Sequence, residues 1–276
     1  MRKLLILHSP NNNGFPTRIA DEFKKMGGFA AVRAWTDLMP LSTDYKIAGY
    51  DVLHVRFGGR GDGDNVLELL GDIARKSNLT AINRPETHQL TSNKYKAIIY
   101  ASAVMRVPKT LLLNLTYDSV DSILDELEPP FFIKPIFSSQ GKNIVLINHS
   151  SELSQCLSGL SGTCLVQEAV DFEKLIRVVY VGKVVDAAYC IPSTKYSASV
   201  CKNSELAKYD ISQELRNKIK GLAERFGQEI MVVDLFYEGR EFVFNEINSA
   251  CNLDYMMKST GINYAKLIAE YLNKNS

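Results

Sequence analysis

Residues 230–248 read IMVVDLFYEGREFVFNEIN, which is two apolar runs separated by the turn-forming residues EGR. This pattern predicts a β-hairpin whose strands each carry acidic or amide side chains within an apolar run. Asp234 and Glu246 lie on either side of the turn, so the hairpin would place them opposite each other. Glu246 and Asn248 are two residues apart, and alternate side chains of a strand share one face.

Two carboxylates and an amide oxygen that converge on one point form an all-oxygen site. Oxygen ligands of this kind suit Mg²⁺ that also holds the phosphates of a nucleotide. The same pattern is compatible with a hairpin that exposes one polar face to solvent, and the residues alone leave both interpretations open.

A second feature is a lysine inside an apolar strand, in the sequence FFIKP at 131–135. A buried lysine is costly unless an anion accompanies it, and a phosphate would supply that anion. The loop SSQGKN at 138–143 follows, and its backbone N–H groups could cover phosphates. The alternative is an edge lysine that extends to solvent, followed by an ordinary turn.

Polar residues also interrupt the strands predicted at 164–168 and 175–182, where Gln167, Glu168 and Arg177 stand. Glu168 and Arg177 could instead form a structural ion pair. The sequence contains neither a Walker A motif nor G-x-G-x-x-G. Its four histidines are scattered without the spacing of a metal site or a catalytic triad, which favours structural roles.

The composition excludes little but favours a globular protein. The chain has 276 residues, 46% of them apolar, with 32 basic and 31 acidic residues and a formal net charge of +1. This balance gives no reason to expect nucleic acid or a membrane as a partner. The apolar run at residues 4–7 is too short for a signal peptide and predicts a buried first strand. The five cysteines lack C-x-x-C spacing, which fits reduced thiols and a cytoplasmic location.

The order of elements predicts two regions: an N-terminal region of alternating strands and helices, and a later region in which strands dominate. Strands at 3–8, 29–35, 51–57 and 79–82 alternate with helices that end near 26 and 76, which indicates a mostly parallel α/β unit. A helix follows at about 94–104, and strands dominate from residue 131. A helix at 211–226 has its apolar residues on one face, and a last helix covers about 263–273.

Taken in chain order, these pieces resemble the ATP-grasp superfamily, and most of all its RimK-like and glutathione-synthetase-like carboxylate–amine ligases. The resemblance covers about residues 80–276. Its residues are Asn83-Arg84-Pro85, Asn93-Lys94, Val107–Thr110, Ile133–Pro135, Ser139–Gly141, Gln167-Glu168, Arg177-Val178, Asp234, Glu246, Asn248 and Thr260–Ala265. It implies an α/β (α+β) ATP-grasp fold. Residues 1–93 would form a Rossmann-like pre-ATP-grasp domain and 94–276 the ATP-grasp domain, divided into 94–166 and 167–276.

The resemblance also implies roles for individual residues. Lys94 and Lys134 would contact the phosphates of ATP. A loop that contains Ser139, Gln140 and Gly141 would cover these phosphates. The adenine slot would be lined by Gln167, Glu168 and Ala169, with backbone groups of the last two reading the base. Mg²⁺, or Mn²⁺ in its place, would be held by Asp234, Glu246 and Asn248. Arg177 would face the transferred phosphoryl group.

Two departures from the family pattern concern the ribose and the substrates. Leu175 stands where relatives carry an acid for the ribose, and Glu173 or Asp171 could substitute. Relatives also carry an arginine and a Gly-Gly in the region that corresponds to 195–203, and this chain has neither. Lys195 or Lys202 could supply the missing charge. We therefore expect 192–209 to form a substrate-facing loop rather than a buried strand.

The implied reaction begins when a substrate carboxylate attacks the γ-phosphate of ATP, giving an acyl phosphate and ADP. An amine then displaces phosphate and forms an amide, while the protein aligns and neutralises the reacting groups. The expected substrates are an amino-acid or peptide carboxylate and an amine acceptor, and a homo-oligomer stays open. Two other functions stay open as well: an ATP-grasp kinase or phosphotransferase, and a non-catalytic nucleotide-binding module.

Overall fold

The computed structural model describes residues 1–10, 14–39, 47, 49–57, 62–115, 120–137, 143–158, 162–192, 196 and 206–275. Three β-sheets organise these residues. The first belongs to the N-terminal part of the chain, and the other two to the region where the resemblance lies.

The first sheet is parallel and contains β1 (Lys3–His8), β2 (Phe29–Ala34), β3 (Val52–Arg56) and β4 (Thr80–Ala81) in the order β2-β1-β3-β4. Helices α1 (Gly14–Lys25) and α2 (Asp62–Lys76) connect its strands. Leu4 and Ile6 pack with α1, and Leu5 and Leu7 pack with α2. Strand β1 is thus covered on both faces, which explains its uninterrupted apolar run. The predicted strands and helices of this region are confirmed.

Two helices lead from the first sheet towards the second. They are α3 (Thr87–Ser92), which the sequence did not predict, and α4 (Lys94–Ser102). The side chain of Asn93 caps α4 by accepting a hydrogen bond from the backbone N–H of Lys96. Before α3, Asn83 donates to the carbonyl of Ile230 at 2.5 Å and accepts from the N–H groups of Glu229 and Ile230 at 2.8 Å. Asn83 therefore has a structural role that holds two distant segments together.

The second sheet is antiparallel and contains β5 (Thr110–Asn114), β6 (Phe131–Pro135), β7 (Val145–Ile147) and β8 (Thr163–Glu168) in the order β5-β8-β6-β7. Its short helices are α5 (Val120–Leu124) and α6 (Leu153–Ser158). Neither helix was predicted from the sequence, because five or six residues are too few to show a helical period.

The third sheet contains β9 (Lys174–Val181), β10 (Val184–Cys190), β11 (Ala207–Lys208), β12 (Ile230–Glu238) and β13 (Glu241–Asn248), in the order β11-β10-β9-β12-β13 with antiparallel pairs. Both predicted hairpins are confirmed. The expectation of a loop throughout 192–209 is wrong at β11, because Ala207 and Lys208 pair with the edge of β10. Both residues are exposed, so β11 is an edge strand and not a buried one.

Helices cover both faces of the third sheet. On one face lies α7 (Gln213–Phe226), which buries Leu215, Ile219, Leu222 and Phe226 as its periodicity predicts. On the other face α8 (Asp254–Thr260) and α9 (Tyr264–Lys274) pack against β9 and β12 and against α1. This second packing joins the C-terminal helices to the N-terminal sheet, so the two regions share one apolar core.

Two findings concern the whole chain. Among the described residues, every helix is too short or too polar to span a membrane. Cys156, Cys164 and Cys251 are free thiols, whereas Cys190 is disulfide-bonded. The expectation of an entirely reduced set is therefore wrong at Cys190, since sequence spacing does not show which thiols the fold brings together.

Candidate active site

Three neighbouring strands place charged residues in one row across the third sheet. Asp234 of β12 lies opposite Arg177 of β9 on one side and opposite Glu246 of β13 on the other. Asn248 follows on the same face of β13 and donates from Nδ2 to Oε1 of Glu246 at 3.3 Å. The predicted convergence of Asp234, Glu246 and Asn248 is confirmed in its geometry, and we call these three residues the carboxylate cluster.

Two cations contact the carboxylate cluster. Arg177 donates through Nε and Nη2 to the two oxygens of Asp234, which is a bidentate pair. Only 2% of the Asp234 side chain is exposed, against 24% of Arg177. Lys94, at the start of α4, donates from Nζ to Oε2 of Glu246 at 3.3 Å.

Burial and the neighbouring charges shift the pKa values of Asp234 and Glu246 in opposite directions. Burial raises the pKa of Asp234 to about 6, although Arg177 opposes the shift. Burial would also raise the pKa of Glu246, but Lys94 and hydrogen bonds with Asp234 and Asn248 outweigh it and lower that pKa to about 2. The two adjacent carboxylates therefore differ in pKa, because burial dominates at Asp234 whereas Lys94 and the hydrogen bonds dominate at Glu246.

The donor set of the cluster fits Mg²⁺. It offers oxygen ligands from two adjacent carboxylates and the amide of Asn248, which are the ligand types that Mg²⁺ prefers. In the described parts of the chain, no group of three or more histidine, cysteine, aspartate or glutamate side chains forms a richer metal site. Two carboxylates suffice for Mg²⁺, because this ion usually completes its shell with water and substrate phosphates.

Lys134 of β6 lies near the carboxylate cluster with a neutral partner. Its Nζ donates to Oε1 of Gln167, and Nε2 of Gln167 donates to the hydroxyl of Thr110 at 2.9 Å. Burial and the charge of Lys94 lower the pKa of Lys134 to about 7, and Glu246 only partly compensates. Among the described residues no carboxylate lies within ion-pair distance of this lysine, so the place next to it favours an anion.

The edge of β8 limits which backbone groups of the predicted adenine slot are free. The N–H of Glu168 donates to the carbonyl of Lys109 at 2.9 Å, and the N–H of Ala169 donates to the carbonyl of Pro130 at 3.1 Å. While these bonds persist, Glu168 and Ala169 could read a base only through their carbonyl oxygens. The sequence could not show this, because the bonds depend on neighbours that lie far away along the chain.

Comparison with known proteins defines the family. The family description "RimK-like ATP-grasp domain" matches residues 91–272, which is more than half of the chain.

The chain belongs to the RimK-like ATP-grasp family.

Two curated relatives have the name "Probable alpha-L-glutamate ligase". The one from Mannheimia succiniciproducens is 23% identical over 240 residues, which cover 84% of this chain and 79% of that protein. The one from Picosynechococcus sp. is 28% identical over 186 residues, which cover 64% of this chain and 62% of that protein.

Solved structures confirm the ATP-grasp fold. A Chryseobacterium gregarium RiPP-associated ATP-grasp ligase in complex with ADP, and a leader and core peptide, superposes with a TM-score of 0.76 at 16% identity, covering 100% of this chain and 98% of that one. The ATP-grasp ligase PsnB, complexed with a phosphomimetic variant of its minimal precursor, Mg and ADP, gives 0.74 at 12% identity, covering 100% and 99%. Family and fold together identify an ATP-dependent carboxylate–amine ligase, of a family that uses ATP and Mg²⁺.

Not every predicted site residue of this RimK-like protein joins the cluster. The suggested Glu168–Arg177 ion pair is wrong, because these residues belong to different sheets: Glu168 instead contacts Nη2 of Arg106 at 3.5 Å. Glu173 is exposed just before β9, where its Oε1 lies beside Gly239 in the β12–β13 turn. Five predicted residues lie outside the described residues: Ser139, Gln140, Gly141, Lys195 and Lys202.

A buried polar network, which was not predicted from the sequence, lies behind the carboxylate cluster. Arg56, at the end of β3, is 4% exposed and donates from Nη2 to the carbonyl of Cys251 at 2.5 Å. His54 donates from Nδ1 to the carbonyl of Ile82 at 2.6 Å, and its Nε2 faces Nη1 of Arg56 at 3.4 Å. Polar residues at alternate positions of an apolar strand, as in His54-Val55-Arg56, are the signal that could have revealed this network.

A second part of the network fixes the chain just after Asn248. The hydroxyl of Ser249 lies 2.8 Å from Nδ1 of His88 and 3.1 Å from the hydroxyl of Thr91. Burial, reinforced by Arg56, lowers the pKa of both His54 and His88 to about 3. Both imidazoles are therefore neutral near pH 7. His88 contacts Ser249 just after β13, whereas His54 contacts the carbonyl of Ile82 and Arg56.

Proposed function

We propose that this RimK-like protein joins an amino-acid or peptide carboxylate to an amine through an acyl phosphate, at the site formed by Lys94, Lys134, Arg177 and the carboxylate cluster. The observation that carries the proposal is the convergence of Lys94 and Arg177 on two adjacent carboxylates. Lys134 lies close by, and among the described residues no carboxylate lies within ion-pair distance of it. Such a site is complementary to phosphates accompanied by a divalent cation.

In this proposal the side chains divide the work of binding. Lys134 and Lys94 hold phosphate oxygens, and Gln167 of the neighbouring strand β8 positions the ammonium group of Lys134 by accepting its hydrogen bond. Glu246, Asn248 and Asp234 would hold Mg²⁺, which supplies charge neutralisation at the phosphates when it is bound. Mn²⁺, with similar ligand preferences, is included in the proposal.

Arg177 could pair either with Asp234 or with the transferred phosphoryl group. It is bonded to Asp234 through both of its donor atoms. If Asp234 turns to a divalent cation, the guanidinium becomes available for the developing charge of the transferred phosphoryl group. An exchange of this kind would make Arg177 effective only once the nucleotide and its metal are in place.

The proposed chemistry has two steps. A substrate carboxylate oxygen bonds to the γ-phosphorus while the bond from that phosphorus to the ADP oxygen breaks. The amine nitrogen then bonds to the acyl carbon, phosphate leaves, and the amine loses a proton. The protein contributes alignment and charge neutralisation, which are the main sources of rate enhancement in phosphoryl transfer.

The substrate class is inferred from the relatives. Their names refer to glutamate ligation, and the structural neighbours are complexed with peptides, so we propose an amino acid and a peptide as the two substrates. A cytoplasmic location, the absence of nucleic-acid and membrane partners, and a homo-oligomeric assembly belong to the same proposal.

The test is product analysis with ATP, Mg²⁺ and a panel of amino acids and peptides. Formation of ADP and phosphate together with an amide product, detected by mass spectrometry, supports a ligase. ADP with a stable phosphorylated product would instead identify a kinase. Nucleotide binding without turnover of any substrate in the panel would favour the non-catalytic binding module.

A further inference from the structure

Two short chain segments join the second sheet to the rest of the molecule. Its strands, β5 to β8, follow one another in the chain, so the chain enters this sheet through residues 103–109, after α4, and leaves it through residues 169–173, before β9. Helix α4 packs on the third sheet. A change in the angle between the second and third sheets would therefore bend these two segments, which we call the connectors.

Arg106 of the first connector is bonded to both sheets. Its Nη2 lies 3.5 Å from Oε1 of Glu168, the last residue of β8. Its Nη1 donates to Oε2 of Glu238 and, at 3.3 Å, to Oε2 of Glu241, on either side of the β12–β13 turn. The backbone carbonyl of Arg106 also accepts from the N–H of Phe244 at 2.9 Å. We call Arg106, Glu168, Glu238 and Glu241 the hinge cluster.

Backbone hydrogen bonds beside the hinge cluster join the ends of the two connectors. The N–H of Glu168 donates to the carbonyl of Lys109, and the N–H of Lys109 donates to Oε2 of Glu168, both at 2.9 Å. The carboxylate of Glu168 thus has one oxygen near Arg106 and the other bonded to Lys109. The N–H of Glu173 donates to the carbonyl of Tyr237 at 2.9 Å, which holds the second connector against β12.

The hinge cluster contains one positive charge and three carboxylates. Its side chains are partly exposed, so solvent screens each ion pair, and the pairs matter through their combination in one network. Without Arg106, the carboxylate of Glu168 would face the two carboxylates of the β12–β13 turn. Like charges repel, so the second sheet would be driven away from the third at this point.

We propose that Arg106 is a positioning residue for nucleotide binding, because it pairs with Glu168 on one side and with the β12–β13 turn on the other. It thereby holds the second sheet at the angle to the third that one ATP molecule requires. This inference rests on the proposed function, in which Lys134 of the second sheet and the carboxylate cluster of the third bind the same nucleotide. Without the guanidinium the sheets adopt wider angles, so a smaller fraction of molecules can bind and the apparent affinity falls by that fraction.

The test is isothermal titration calorimetry of the full chain with Mg²⁺ and a non-hydrolysable ATP analogue. We expect Arg106→Met to weaken binding roughly tenfold, a coupling typical of residues in one ion-pair network. Arg106→Lys should recover part of the affinity, since lysine keeps the charge but not the planar fork. The matched control is Arg75→Met, which removes an exposed arginine that also pairs with two carboxylates, those of Asp72 and Glu86. This control should bind as the unchanged protein does.

A double variant separates positioning from a general loss of stability. Glu168→Gln is measured alone and together with Arg106→Met, and the double variant should bind the analogue no more weakly than Arg106→Met does. Urea unfolding of every variant shows whether the fold is intact. Hydrogen exchange without nucleotide is a further readout: Arg106→Met should raise deuterium uptake in residues 107–115, because the N–H of Lys109 is bonded to Glu168.

Four outcomes overturn the positioning role of Arg106. They are an unchanged affinity in Arg106→Met, equal weakening in Arg106→Met and Arg75→Met, losses that add in the double variant, and unaltered deuterium uptake in residues 107–115. Analogue binding that Arg106→Met leaves unchanged would contradict this role alone. Absence of analogue binding to the unchanged protein would contradict the proposed function as well.

Discussion

Lys134 is the residue whose surroundings point most directly to a phosphate. Its hydrogen-bonding partner is the neutral amide of Gln167, and its pKa is lowered to about 7 by burial. We predict that Lys134→Met weakens ATP binding by about 100-fold, the scale for losing a preorganised charge, while the free energy of unfolding does not fall. Isothermal titration calorimetry with an ATP analogue measures the first quantity and urea unfolding the second. Lys96→Met removes an exposed charge from the same helix as Lys94, and it should leave the affinity unchanged.

Asp234 is predicted to have two roles: it binds the metal ion, and it pairs with Arg177. Asp234→Asn should lower turnover by about 100-fold or more and shift the Mg²⁺ dependence to higher concentrations, since one anionic ligand is lost. Turnover measured against Mg²⁺ concentration checks both effects. Glu241→Gln, an exposed change in the neighbouring strand, is the control. An unchanged Mg²⁺ dependence in Asp234→Asn would contradict a metal role for this residue.

At the scale of elements, α7 depends on the residue just before its first turn. Ser212 accepts a hydrogen bond from the N–H of Leu215 at 3.2 Å and caps the helix. Ser212→Ala should therefore lower the free energy of unfolding by about 1 kcal/mol, whereas Ser212→Asn, which keeps a capping group, should have a smaller effect. Urea unfolding of the three proteins checks this. Equal stability of all three would show that α7 is held by its apolar face alone.

The elements also show what the sequence can reveal. Helix α7 and the β12–β13 hairpin were predictable because they are long and their periods are clear, and the carboxylate cluster followed from the hairpin register. The short helices α3, α5, α6 and α8 have at most two turns and left no clear period. The contact of Arg56 with Cys251 joins residues 195 positions apart, and no local pattern reports such a contact. The same limit applies to the contact of Glu168 with Arg106, for which the sequence offered Arg177 as one possible partner.

At the scale of the whole molecule, the buried histidines make the free energy of unfolding depend on pH. His54 and His88 are neutral in the folded state because burial lowers their pKa from 6.5 to about 3. In the unfolded chain they take up protons below about pH 6.5, so protons favour unfolding between pH 6.5 and 3. Each histidine should lower the free energy of unfolding by about 1.4 kcal/mol per pH unit within that window.

The measurement is the free energy of unfolding from urea titrations between pH 7 and pH 4. The unchanged protein should lose stability steeply as pH falls. His88→Gln should show a shallower slope, even if it is less stable at pH 7, and the exposed His149→Gln serves as the control. Parallel pH profiles for the unchanged protein and His88→Gln would contradict a neutral buried state for His88.

The central claim concerns the whole molecule: one site, built from the second and third sheets and from α4, holds Mg²⁺ and the phosphates of ATP. The most direct test is a crystal structure with Mg²⁺ and a non-hydrolysable ATP analogue. We expect the ion within about 2.1 Å of oxygens of the carboxylate cluster, with Nζ of Lys134 bonded to a phosphate oxygen. A nucleotide bound elsewhere, or a Mg²⁺ ion without Asp234, Glu246 or Asn248 among its ligands, would contradict the account.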